Sequence, residues 1–256
     1  MNFSNPVGMW TLIKREMVRT FKIINQVIWP PVIQTLLYVF VFGLALGSRI
    51  KTVQGVSYAE FLIPGLIMLQ VIDSSYGECS SSVFQGRFMN SIQEMLIAPM
   101  SAAEIVFGYI LGSVTRAVLI ANIIMVLGLI FVHTLPHNWA LYFAVMILVS
   151  ILFSALGIIF GLLAEKFDHI AVLTTFVITP LVFVGGVFTS IQFLPPIFRN
   201  LSLFNPMFYT IDAFRHSYTG QSYLSLWLSV GAIGLLALIA LGIALRMTAT
   251  GYKLRT

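Results

Sequence analysis

A carboxylate inside a long apolar segment is costly, which makes Asp73 and Glu78 the side chains of this sequence best placed to do chemistry. On a helix that begins near Phe61, Asp73 lies about 18 Å along the axis and Glu78 about 140° further round it. The two acids therefore do not share a face and cannot act as a paired acid and base. Two uses stay open. Asp73, Ser74 and Glu78, with Ser75 and Ser81 nearby, could line a hydrated vestibule that passes a polar headgroup or sugar. Alternatively, the serines and Gly77 permit close helix packing while the acids hydrogen-bond to neighbouring elements.

Other reactive residue types are sparsely arranged. His133, His137, His169 and His216 fall near the ends of apolar segments with no metal-ligand spacing, so no metal site is expected. Cys79 is the single cysteine and sits in an apolar stretch, which excludes an internal disulfide or a cysteine-based metal site. Asp212 and Arg215, at i and i+3, predict a local ion pair. No G-x-x-x-x-G-K-[ST] occurs, nor any Gly-Lys pair, so a phosphate-cradling loop of that kind is absent from the sequence. H-E-x-x-H and G-x-S-x-G are missing too, which removes the usual signals of a metalloprotease or serine hydrolase. The reading is of a non-enzyme with no catalytic residue and no cofactor of its own.

The elements that must position these residues are membrane helices. Of 256 residues, 59% are hydrophobic and 9% charged, more apolar surface than a water-soluble core of this length can hide. A bilayer core takes about 20 apolar residues per helix, and six segments qualify: about 27–47, 61–82, 105–132, 141–164, 170–188 and 224–245. The second is the most polar. Ten Lys and Arg fall on one side of this arrangement and four on the other, which predicts both termini in the cytoplasm. The charge of +5 is scattered and gives no footprint for nucleic acid. Before the first span, over about 5–24, Trp10, Ile13, Met17, Phe21 and Ile24 recur at helical spacing, with Arg15, Arg19 and Lys22 on another face. This predicts a helix lying in the membrane surface, and nothing there reads as a removable signal peptide. Between spans five and six, 194–218 predicts two short helices at the outer leaflet, started by Pro195 and Pro196 and divided at Asn205 and Pro206. No internal repeat is visible, so 1–256 reads as one domain.

One inner stretch, "NSIQEMLIAPMS" at 90–101, is a helix of about two turns with Ile92, Met95 and Leu96 on one stripe and Pro99 closing it. So short a helix is not stable alone. It must lie on the membrane or fill a groove on another protein.

At this point the sequence resembles the permease subunits of ABC-2 type exporters, which include drug-resistance, nodulation-factor and polysaccharide or teichoic-acid export permeases. The residues that carry the resemblance are "FLIPG" at Phe61 to Gly65, the inner Arg87, Glu94, Leu96, Pro99 and Ser101, and the outer Gly185, Gly186, Phe188, Leu194-Pro195 and Asn205-Pro206. Tyr109 stands after Gly108 where many relatives carry a lysine.

The resemblance implies an all-α integral membrane fold: six transmembrane helices, an N-terminal amphipathic surface helix, a short cytoplasmic coupling helix and re-entrant outer helices between spans five and six. It also implies a homodimer in a bacterial inner membrane, in contact with lipid. A separate ABC ATP-binding subunit would hold ATP and Mg and dock on Ile92, Glu94, Met95, Leu96, Ile97 and Pro99, with Arg15 and Arg19 on the surface helix. The first and fifth spans would form the dimer seam, the second and fifth would border the pathway, and Pro195, Asn205, Pro206 and Tyr209 would belong to an outer gate. The cargo would be an amphipathic or polar drug, lipid or glycan. Two other readings are a proton-coupled secondary transporter, poorly supplied because only one segment has deep acids, and a membrane-embedded transferase, for which no acid or base constellation is present.

Overall fold

The computed structural model describes residues 5–46, 52–53, 55–89 and 100–253. The order of elements is α1 (Pro6–Lys22), α2 (Ile24–Tyr38) continued by wide π-type turns over Val39–Leu46, a minimal hairpin of β1 (Thr52–Val53) and β2 (Val56–Ser57), and then α3 (Tyr58–Phe88). After residues 90–99 come α4 (Ala102–Phe131), α5 (Trp139–Leu163), α6 (Phe167–Leu173), a π-type stretch (Thr174–Ile178) and α7 (Thr179–Val184). The chain closes with α8 (Pro196–Phe204), α9 (Pro206–Thr219) and α10 (Leu226–Thr250).

Local signals set these boundaries. Ser57 begins α3 and Ser101 begins α4, each in a capping box with the glutamate three residues on, Glu60 and Glu104. Pro206 takes the first turn of α9 after the Asn205 cap, and Gly220, at φ +73°, ends it in the left-handed conformation that only glycine adopts freely. The two short helices expected over about 194–218 are thus α8 and α9.

Among the described residues, five helical stretches are long and apolar enough to cross a membrane: Ile24–Gly43, Ala102–Phe131, Trp139–Leu163, Phe167–Val184 and Leu226–Thr250. Each overlaps an expected span. The remaining expected span corresponds to α3, whose 31 residues would reach roughly 46 Å at ~1.5 Å per residue. Its polar groups set it apart from the other five. Yet it is the most enclosed of the long helices, with every residue from Phe61 to Ile72 buried. Helices α4, α5 and α9 surround it.

Small residues make that enclosure possible. A Cβ at Gly157 of α5 would lie 2.7 Å from the Tyr76 carbonyl oxygen, and one at Gly161 would lie 2.7 Å from that of Ser80. The backbones therefore approach closely over one turn, as at small-xxx-small seams in membranes. Serine hydroxyls fill the seam: Ser113 donates to the Ser75 carbonyl at 3.0 Å and Ser154 to Ser113 at 2.9 Å.

The stripe expected on the surface helix is divided. Trp10 and Phe21 are exposed, whereas Ile13 of the same stripe is buried against the body with Leu12, Glu16 and Thr20. Gly108 and Gly112 of α4 provide the berth, since a Cβ at either would come within 2.6 Å of Leu12 or Glu16. So α1 is docked on α4 by its narrower, mixed face, and the larger apolar residues turn to the surroundings.

These contacts predict that Gly161→Leu lowers stability by about 1–3 kcal/mol through overpacking. Gly77→Ala, where a Cβ meets nothing within 4 Å, should be tolerated. Thermal unfolding of the detergent-solubilised variants would decide it; equal midpoints for the two would contradict the close α3–α5 seam.

Candidate functional site

Two acids and three arginines from α1, α3 and α4 meet near the end of the bundle that carries residues 5–22. Glu16 and Glu78 are 2% and 4% exposed. Glu16 accepts from Arg15 at 2.8 Å, from Arg19 at 3.0 Å and from the Ser82 hydroxyl at 2.7 Å. Glu78 accepts from Arg19 and, on its other oxygen, from Arg116 of α4. Arg15 also donates to the Tyr109 hydroxyl at 3.3 Å, so Tyr109 receives a cation from α1.

A buried carboxylate is retained only when its desolvation is offset by pairing. Here each acid has two cationic donors, and the three arginines stay partly open to solvent. The arrangement performs no acid–base chemistry, because every carboxylate oxygen is engaged by a cation. It ties α1 to α3 and α4 at a level where lipid cannot substitute.

The sequence-predicted pathway residues separate. Glu78 points into this network, and Ser74 is buried with its hydroxyl on the Val71 carbonyl. Asp73 lies about 140° round α3 from Glu78, exposed, and makes no hydrogen bond among the described residues. Gly77 and Ser81 follow it at one-turn intervals as the partly open positions of that face.

Ile92, Glu94, Met95, Leu96, Ile97 and Pro99 lie outside the described residues. Both flanks of that segment are nonetheless tightly held. Arg87 donates to the carbonyls of Gly161, Leu162 and Ala164 at 3.1, 2.7 and 2.9 Å, capping α5. Ser101 caps α4, and Glu104 of the same box also accepts the backbone N–H of Asn5 at the start of α1. Nearby, Lys253 donates to Glu165 at 3.2 Å, which holds that carboxyl below the usual carboxylate range. Hence the ends of 90–99, the start of α1 and the link from α5 to α6 converge at one end.

At the other end the expected Asp212–Arg215 ion pair does not form. Asp212 instead accepts the backbone N–H groups of Tyr223 and Leu224 at 2.7 and 3.1 Å, anchoring the turn into α10. Arg215 donates to the Gly186 carbonyl at 2.8 Å, and its guanidinium stands 3.7 Å over the Phe61 ring. Each side chain has better partners than the other, because the tertiary fold brings backbone groups and a ring to them.

This joins two of the sequence motifs: Phe61 and Gly65 of "FLIPG" meet Gly186 and Val187, with a Cβ at Gly65 coming 2.9 Å from the Val187 oxygen. Asn205 donates to the Leu181 carbonyl at 2.6 Å and accepts from the Met207 N–H at 3.0 Å. Tyr209 donates to the Leu203 carbonyl at 2.7 Å. Pro195 and Pro206 open α8 and α9. No group of His, Cys, Asp and Glu side chains suited to a metal occurs among the described residues.

Sequence reasoning missed Glu16, Ser82 and the inward role of Arg116. The available signals were the Glu16–Arg19 spacing of three and the Gly108-x-x-x-Gly112 berth that faces Glu16.

Comparison with known proteins gives a coherent set of likenesses. The profile of the family described as ABC-2 type transporter matches residues 8–219. The chain is 36% identical to the inner membrane transport permease YadH of Escherichia coli (strain K12), over 88% of this chain and 89% of that protein. It is 28% identical to nodulation protein J of Rhizobium leguminosarum bv. viciae, over 77% and 76% respectively. For nodulation protein J of Rhizobium meliloti (strain 1021) the identity is 25%, over 77% and 76%.

The network predicts that Glu78→Gln costs about 1–3 kcal/mol, since Arg116 loses its carboxylate partner and Arg19 keeps only Glu16. A double-mutant cycle of Glu78→Gln with Arg116→Gln should return a coupling of roughly 1–3 kcal/mol in detergent unfolding. Additive effects would mean that the two side chains do not interact.

Proposed function

Because the chain belongs to the ABC-2 type transporter family, we propose that it is the membrane-spanning half of an ATP-driven exporter that works as a dimer with a separate ATP-binding subunit. Members of this family are transport subunits, and this sequence has no G-x-x-x-x-G-K-[ST] loop of its own. The energy then has to arrive through a contact.

The observation that carries the reading is the convergence described above. Arg87 and Ser101 hold the two flanks of 90–99 beside the start of α1 and the Ala164–Lys166 link. A segment with Ile92, Met95 and Leu96 on one stripe, presented between fixed ends, suits insertion into a groove of an ATPase. Glu94, Ile97 and Pro99 complete that contact.

Arg15 and Arg19 lie within α1 on the same side. Their pairing with Glu16 and Glu78 lets movement of α1 be felt by α3 and α4. Glu165 and Lys253 border the same end.

In this reading α3 is a sixth crossing, both termini are cytoplasmic, and the membrane is the bacterial inner membrane, as in the name of the Escherichia coli relative. Asp73 and the face it shares with Gly77 and Ser81 border the pathway, while Ser74 and Glu78 support it from behind. The helices α8 and α9, with Pro195, Asn205, Pro206 and Tyr209, form the outer closure. The cargo is an amphipathic or polar molecule moved outward.

Two measurements test the proposal. Wild-type chain purified in mild detergent should bring a G-x-x-x-x-G-K-[ST] ATPase at equal stoichiometry, and Leu96→Asp should lose it while still inserting in the membrane. Recovery of the bare chain under conditions that preserve other such complexes would turn the reading toward a proton-driven transporter. In a Cys79→Ala background, Asp73→Cys should react with a water-soluble maleimide and the buried Ser75→Cys should not, because the reagent needs a hydrated thiolate. Equal protection of both would place Asp73 against lipid or protein.

A further inference from the structure

We propose that the groove between α1 and the last turns of α3 binds the phosphodiester headgroup of an anionic phospholipid. The groove encloses about 310 Å³, far beyond the ~15 Å³ that a single water needs. One wall is the ridge of Arg15, Arg19 and Lys22, at i, i+4 and i+7 of α1. The other is Ser82, Gln85 and Met89 on α3.

The charge balance favours an anion. Four cations, Arg15, Arg19 and Lys22 with Arg116 just behind them, stand against two acids, Glu16 and Glu78, whose carboxylates are already engaged by Arg15, Arg19, Arg116 and Ser82. Lys22 makes no hydrogen bond or ion pair among the described residues, and the Nε–H of Arg19 is buried without a hydrogen-bond partner. Guanidinium and ammonium groups held together in this way match a phosphodiester.

The occupant is a lipid because the rim is apolar. Val18 and Met89 line the groove and are 42% and 66% exposed, and Phe21 and Phe88 lie exposed beside them. These side chains give acyl chains a surface that a soluble anion would leave wet. Helix α2 begins two residues after Lys22, so the groove sits where the chain enters the bilayer. Basic pockets at that level attract acidic headgroups. The site stands whether or not the chain works with an ATPase.

The test uses the full chain in mild detergent, incubated with phosphatidylglycerol or with phosphatidylcholine of the same acyl chains and weighed by native mass spectrometry. Phosphatidylglycerol should be retained in preference to phosphatidylcholine. Lys22→Gln, which touches no other charged side chain and so puts folding at little risk, should weaken retention about five-fold, as should Arg15→Gln. Lys22→Arg should restore it. Arg246→Gln, an exposed cation at the end of α10 outside the groove, should change nothing. Inorganic phosphate should fail to displace the lipid. Equal retention of the two lipids, undiminished retention in Lys22→Gln, or full displacement by phosphate would overturn the proposal, the last by making the groove a site for a soluble anion.

Discussion

Helix α3 carries Asp73, Glu78 and Arg87 through a bundle whose other long helices are almost free of charge, and each of those groups must be met by protein or by water. Much of the architecture answers that requirement. Glu78 meets two arginines, and Arg87 meets the carbonyls that α5 would otherwise leave bare at its end. Only Asp73 faces outward from the single chain. The polarity that makes α3 look least like a membrane span is what recruits α1, α4 and α5 around it.

Close approach is the second half of the same arrangement. Pairing a buried acid needs short distances, and short distances need helices without side chains between them. Gly157 and Gly161 bring α5 onto α3, and Gly108 and Gly112 bring α1 onto α4. The second pair sets Glu16 within reach of Ser82, so a glycine pattern in one helix determines a hydrogen bond between two others. A docked α1 differs mechanically from a floating one: a displacement of it must break charge pairs or carry α3 and α4 along.

At the opposite end α8 and α9 are held by bonds to backbone groups rather than by pairing of side chains. Arg215 joins α9 to Gly186 and to Phe61, and Asp212 fixes the turn into α10. The Asp212 and Arg215 side chains are buried, where an unmade hydrogen bond is expensive. Any opening of this end therefore proceeds by moving α8 and α9 as a body, or by exchanging those partners for water.

The sequence by itself determined the membrane class, the position of each apolar helix to within a few residues, the two short helices over about 194–218, and the family resemblance that the comparisons support. Those properties are local: hydropathy over about 20 residues, a cap, or a proline specifies them without reference to the rest of the chain. Only the tertiary structure decided that Glu78 pairs with Arg19 and Arg116, that α1 docks by Glu16 rather than by Trp10 and Phe21, and that Asp212 and Arg215 turn away from each other. The partners across elements in these cases stand 11 to 154 positions apart, from Asp212 with Tyr223 to Phe61 with Arg215. Helical periodicity states which residues share a face; it does not say which other helix that face will meet.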